Sequence, residues 1–165
     1  EFEDIFMKKI LFVCTGNICR SSTAEAILRH IVKEQGHEHE FIIDSCGTHG
    51  YHVGEPSDLR AVKAAQLRGI NMDDIRARQI SSDDFQEFDY IIAMDRGHES
   101  ILKNIALQEH HNKISLFLDH STQKTIDVPD PYYGDIQGFE EVLDVLEEGM
   151  GGLLRFVQEK ERTSY

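Results

Sequence analysis

Apolar positions along the chain follow two rhythms. Ile10–Val13 is an unbroken apolar run, the mark of a strand buried on both faces of a parallel sheet, and Glu40–Ser45, Tyr90–Met94 and Lys113–Leu118 read as three further strands. Between them Ala24, Ile27, Leu28 and Ile31 recur at helical spacing, as do Leu59, Val62 and Leu67, then Ile101, Leu102 and Ile105. Phe139, Val142, Leu143, Leu146, Met150, Leu153 and Val157 mark a long last helix. Ser22 and Glu25 have the spacing of a capping box for the first helix. Ser57 or Asp58 can cap the second, which stops at Gly69, and Ser81 with Asp84 opens a short helical turn. Gly47–Pro56 is a loop by its glycines and proline. Gly149, Gly151 and Gly152 each cost the last helix about 1 kcal/mol relative to alanine, so it kinks there or something packs unusually close. Strands alternating with helices predict an α/β fold, a small doubly wound four-stranded parallel sheet with helices on both faces. Its ligand crevice lies outside the carboxyl ends of the strands.

Composition narrows the functional classes. At 165 residues with 40% hydrophobic content the chain suits a single domain, residues 7–165, with residues 1–6 ahead of Met7 read as an added remnant or a short N-terminal arm. A net charge of −13 repels nucleic acid and anionic membrane, so neither is expected as a partner. No apolar run approaches the length of a membrane span. Three cysteines, an odd number without zinc-type spacing, suit a reducing cytoplasm. No metal or cofactor is expected: His37 with His39, and His110 with His111, sit in polar turns. His49 and His52 read as loop-packing residues, and Cys46 as a small buried one.

The chemistry concentrates in Cys14–Ser21, a C-x5-R-S/T pattern between the first strand and the first helix. A strand-to-helix loop turns successive N–H groups inward, and the helix end adds partial positive charge. Thr15, Gly16, Asn17, Ile18 and Cys19 would form a phosphate-binding loop after the first strand, with Gly16 and then Asn17 best able to take a positive φ. Arg20 offers a planar fork for two phosphate oxygens. Cys14 within such a ring of donors is expected as a thiolate nucleophile. Phosphoryl transfer through it needs an acid for the leaving oxygen and then a base for water. Asp130 in "VPDPYYGD", between two prolines and beside Tyr132 and Tyr133, is the candidate, with Asp127 and Asp135 as competitors. Inorganic phosphate and similar oxyanions should inhibit.

"FVCTGNICRS", "DSCGTHGY", "FDYIIAMD" and "DPYYGD" together resemble the low molecular weight protein tyrosine phosphatase family, in a bacterial form. The resemblance implies a cysteine-dependent phosphotyrosine phosphatase without metal. It implies Cys14 as nucleophile, Arg20 as clamp, Asp130 as general acid and then base, and Ser21 as hydrogen-bond donor to the Cys14 sulfur. It further implies that Asn17 and Ser45 support the loop and that Cys19 pairs with Cys14 under oxidation. Tyr51, Tyr132 and Tyr133 would wall the substrate cleft. Substrates would be phosphotyrosine proteins, a tyrosine kinase among them. Arsenate reductases of similar fold carry a downstream cysteine pair, and only Cys46 lies outside the loop here. Bacterial protein arginine phosphatases, the closer alternative, carry a threonine where this chain has Ile18. A third reading is a phosphotyrosine-binding module without turnover. Ser22 stands where many family members have proline, and serine is expected to cap the helix equally well.

Overall fold

The computed structural model describes residues 7–121 and 127–163, so residues 1–6 lie outside the described residues. Strands β1 (Lys8–Cys14), β2 (Phe41–Gly47), β3 (Tyr90–Ala93) and β4 (Ile114–Leu116) form one parallel sheet in the order β2-β1-β3-β4. Alternation along β1 explains its apolar run: Ile10, Phe12 and Cys14 face one core and Leu11 and Val13 the other. The larger core lies under α1 (Arg20–Glu34), α2 (Leu59–Gln66) and α5 (Ile136–Thr163). The smaller lies under α3 (Ser82–Glu87) and α4 (Arg96–Ile105), through Phe85 and Leu102. The expected four-stranded sheet with helices on both faces is what the chain forms.

Several local signals hold at the ends of α2 and α3. Asp58 caps α2 and accepts from the Arg60 N–H at 2.9 Å. Ser81 and Asp84 open α3 (Ser82–Glu87) as expected, and the Asp84 carboxylate accepts from the Ser81 N–H at 2.8 Å. Gly69 follows α2 with φ +79°. Two expectations are corrected. The last strand ends at Leu116 rather than Leu118, and Phe117–His120 coils into a 3-10 turn. In a strand Phe117 and Leu118 would point to opposite faces; coiling buries both in the larger core. Ser22 and Glu25 do not cap α1, which starts a turn earlier at Arg20. Both are buried inside it, and the Ser22 hydroxyl donates to the Cys19 carbonyl at 3.2 Å.

The glycines of α5 mark close packing. A Cβ on Gly149 would stand 2.6 Å from the Phe117 ring, and one on Gly152 would stand 1.8 Å from the His120 carbonyl oxygen. Gly151 is exposed and meets only the tip of Arg155, at 3.6 Å. Gly152→Ala should therefore destabilise the protein by about 3 kcal/mol, because backbone must move, while Gly151→Ala should stabilise it by up to about 1 kcal/mol through helix propensity. Urea unfolding midpoints check both.

Candidate active site

The chain leaves β1 at Cys14 and enters α1 at Arg20 through a loop held by its surroundings. The left-handed residue is Asn17, with φ 61°; Gly16 does not take a positive φ, contrary to expectation. A Cβ on Gly16 would instead meet the His52 ring at 2.9 Å, so glycine serves close approach there. Asn17 tolerates its conformation because all of its side chain is engaged. Its Nδ2 donates to Ser21 Oγ and Ser45 Oγ, both at 2.9 Å, and its Oδ1 accepts from the Arg78 N–H at 3.0 Å. From behind, Thr48 N–H donates to the Cys14 carbonyl at 2.8 Å and His49 N–H to the Thr15 carbonyl at 3.1 Å. Gly47 permits this approach, since a Cβ there would lie 2.5 Å from the Thr15 oxygen.

Cys14 Sγ accepts from the Asn17 N–H at 3.3 Å and lies 3.0 Å from Ser21 Oγ. Ser21 already accepts from Asn17, so its own proton is free to point at the sulfur or at the Cys46 carbonyl, 3.3 Å away. Burial pushes the Cys19 and Cys46 thiols well above the ordinary thiol range and holds both protonated.

Arg20 is buried and aimed. Its Nη1 donates to Asp95 Oδ2 at 2.7 Å and to the Val128 carbonyl at 3.1 Å. Its Nη2 lies 3.4 Å from His98 Nε2 and 3.5 Å from Asp130 Oδ2. Burial works against a charged Asp95, but the His98 N–H and the Arg20 guanidinium hold its carboxyl below the usual range. His98 also lies 2.9 Å from Thr15 Oγ1 through Nε2. Arginine can only donate, so Nε2 is the acceptor and the proton sits on Nδ1, 3.1 Å from Asp95 Oδ1 but without hydrogen-bond alignment.

Burial, and then the Arg20 charge, push the His98 pKa from 6.5 down to about 4. The unfolded chain therefore binds the extra proton first. This contribution to stability is full above about pH 6.5 and is lost as pH falls through 4, a change on the order of 3 kcal/mol. Glu25 acts in the opposite sense. Burial raises its carboxyl to about 7, so its contribution is full below the ordinary carboxylate range and is lost as pH rises through 7. Comparing urea unfolding of wild type and His98→Gln at pH 7 and pH 4.5 isolates the histidine: the wild type should lose more stability on acidification.

Asp130 stands across the cleft, half exposed, with Oδ1 accepting from the Tyr132 N–H at 3.0 Å. Its competitors are engaged elsewhere. Asp127 accepts from the Arg96 N–H and guanidinium, and Asp135 from the Gly138 N–H at the start of α5. Cys14, Thr15, Gly16, Ile18, Cys19, Arg20, Tyr51, Asp130, Tyr132 and Tyr133 all line one cleft, joined by His52. Its volume is about 220 Å³. Asn17, Ser21 and Ser45 stand behind it in the support network rather than in its wall.

Sequence reasoning did not find Glu25, Arg78, Asp95 or His98 as parts of the site. Ser45 Oγ donates to Glu25 Oε1 at 2.6 Å, which extends the network from Cys14 through Ser21 and Asn17 into the core. Among the described residues no helix is long and apolar enough to cross a membrane.

A thiol at the mouth of a strand-to-helix loop, with a buried guanidinium beside it and a carboxylate opposite, defines a cysteine-dependent phosphatase of α/β architecture. The comparisons agree. The model of the low molecular weight phosphotyrosine protein phosphatase family matches residues 9–163, and the chain belongs to that family. It is 39% identical over 157 residues to the low molecular weight protein-tyrosine-phosphatase YfkJ of Bacillus subtilis, covering 94% of this chain and 99% of that one. Its fold is similar to a protein tyrosine phosphatase from Entamoeba histolytica solved with Hepes in the active site, with TM-score 0.89 and 39% identity, covering 93% and 99% of the two chains. It is also similar to Vibrio vulnificus Wzb in complex with benzylphosphonate, with TM-score 0.79 and 28% identity, covering 90% and 98%.

Proposed function

We propose that the chain hydrolyses phosphotyrosine in proteins through a phosphocysteine on Cys14. The observation that carries this reading is the convergence of Cys14, Arg20 and Asp130 on one cleft walled by Tyr51, Tyr132 and Tyr133. Cys14 Sγ attacks phosphorus in line while loop N–H groups and Arg20 hold the equatorial oxygens. The bond from phosphorus to the tyrosyl oxygen breaks, and Asp130 gives that oxygen its proton. The resulting carboxylate then takes a proton from water, which attacks the phosphocysteine. Phosphate departs and the thiolate returns, its charge eased by the Ser21 hydroxyl and the Asn17 N–H. Ile18 supplies an apolar wall that suits an aromatic ring. The relative from Vibrio vulnificus, which holds benzylphosphonate, supports an aryl group carrying a phosphorus oxyanion as ligand.

The same reading takes residues 7–165 as one catalytic domain acting in the cytoplasm, supported by three free cysteines. A tyrosine kinase carrying phosphotyrosine is a fitting protein partner, and inorganic phosphate a competing ligand. Cys19 lines the cleft with Cys14, so a peroxide would join the two sulfurs in a disulfide that a dithiol reverses. The test is phosphate release from a phosphotyrosine peptide and a phosphoarginine peptide in parallel. Release from phosphotyrosine alone supports the reading. Release mainly from phosphoarginine overturns the role given to Ile18 but keeps the mechanism. Binding without release from either replaces the enzyme with a binding module.

A further inference from the structure

Arg60 ties together three segments that the proposed chemistry needs in register. It is the second residue of α2, and its guanidinium lies against the Asp58 carboxylate, Nε to Oδ1 at 3.1 Å and Nη2 to Oδ2 at 2.9 Å. The fork also reaches across to the loop that carries Asp130: Nη1 donates to the Gly134 carbonyl and Nη2 to the Tyr132 carbonyl, both at 3.0 Å. Its Cζ sits 4.5 Å from the centre of the Phe139 ring on α5 and 6.0 Å from that of Tyr132. Asp58 is in turn fastened to the phosphate loop, since its N–H donates to the Ile18 carbonyl at 2.8 Å. Tyr132 is thereby held at both ends of its residue. Its N–H donates to Asp130 Oδ1 and its carbonyl accepts from Arg60.

We propose that Arg60 is a positioning residue for Asp130, fixing the acid-bearing loop relative to the phosphate loop through Asp58 and Ile18. The inference rests on the reading of Asp130 as the general acid. Arginine suits the task because one planar group engages a carboxylate and two carbonyls while stacking on a ring. A lysine, with one compact ammonium, cannot span the same partners. Arg60 reaches no reacting atom: it sets the distance between the Asp130 proton and the oxygen that leaves.

The test compares kcat/KM, which reports the steps up to phosphocysteine formation, for two small substrates. 4-Nitrophenyl phosphate releases an anion that departs readily without a proton, whereas phenyl phosphate depends on one. Arg60→Ala should lower kcat/KM for phenyl phosphate by about 10- to 100-fold and for 4-nitrophenyl phosphate by less than about 3-fold. Arg60→Lys should behave similarly and covers the case in which the alanine variant fails to fold. Inhibition by inorganic phosphate should stay within about 3-fold of wild type, a readout of an intact phosphate loop. Adding Arg60→Ala to Asp130→Ala should cost nothing further on phenyl phosphate. Equal losses on both substrates, or an additive loss in the double variant, overturn the proposal. If Asp130→Ala itself lacks the leaving-group dependence, the acid assignment fails and takes the inference with it. If Asp130→Ala shows the dependence and the Arg60 variants do not, the positioning role alone is overturned.

Discussion

Cys14→Ser is expected to lower phosphate release from a phosphotyrosine peptide by about 10⁴-fold or more while leaving inorganic phosphate and phosphopeptide bound. The sulfur sits in a field built for an anion, with the Asn17 N–H at 3.3 Å and the Ser21 hydroxyl at 3.0 Å. A serine hydroxyl there is a far weaker acid than a thiol, and the groups beside it are donors rather than a base that could take its proton. The nitrogen of His98 that accepts is engaged by Thr15 and Arg20. The loop is also held by the Asn17 side chain and by the Thr48 and His49 N–H groups, and Arg20 by Asp95 and the Val128 carbonyl, so affinity should survive. Phosphate release against calorimetric binding of the peptide separates the two effects. Retained turnover would remove the phosphocysteine from the mechanism.

Asp130→Ala is expected to lower kcat/KM for phosphotyrosine peptide by about 10² to 10⁴, the usual span for a lost general acid. Inhibition by inorganic phosphate should change little, because Arg20 is held chiefly by Asp95 and the Val128 carbonyl and only grazes Asp130 at 3.5 Å. Asp127→Ala and Asp135→Ala serve as controls. Each removes a carboxylate that holds the backbone of another element, so each should keep kcat/KM within about 3-fold. A larger loss at either would transfer the acid role there.

Legibility in the sequence tracked distance along the chain. The apolar run of β1, the C-x5-R spacing and the helical start at Ser81–Asp84 all close within a turn or two, and each is readable directly. Asp130 was legible as a carboxylate between prolines, although its direction required the fold. Glu25 looks like a capping residue in the sequence because the S-x-x-E spacing is silent about where the helix begins. α1 starts at Arg20, and that offset turns Glu25 into the core toward Ser45. Asp95 and His98 were invisible for a different reason. Asp95 follows β3 and caps α4, an ordinary station in any sequence, and only the adjacency of β1 and β3 carries it to Arg20. Gly16 shows the limit of residue-type reasoning: a glycine suggests a positive φ, yet Asn17 takes that angle and a Cβ on Gly16 would meet a neighbouring ring.

The supports of the phosphate loop have a kinetic corollary. Asn17 is anchored to Ser45 and to Arg78, 28 and 61 residues along the chain, and Thr15 to His98, 83 residues away. Each tether requires closure of a long chain segment, whose entropy must be lost before the contact forms. The loop is therefore expected to acquire its shape late, after β2 and β3 have docked on β1, however local its motif looks in the sequence. On dilution from denaturant, regain of turnover should coincide with the slowest structural phase, which makes enzymatic activity itself a clock for completion of the sheet.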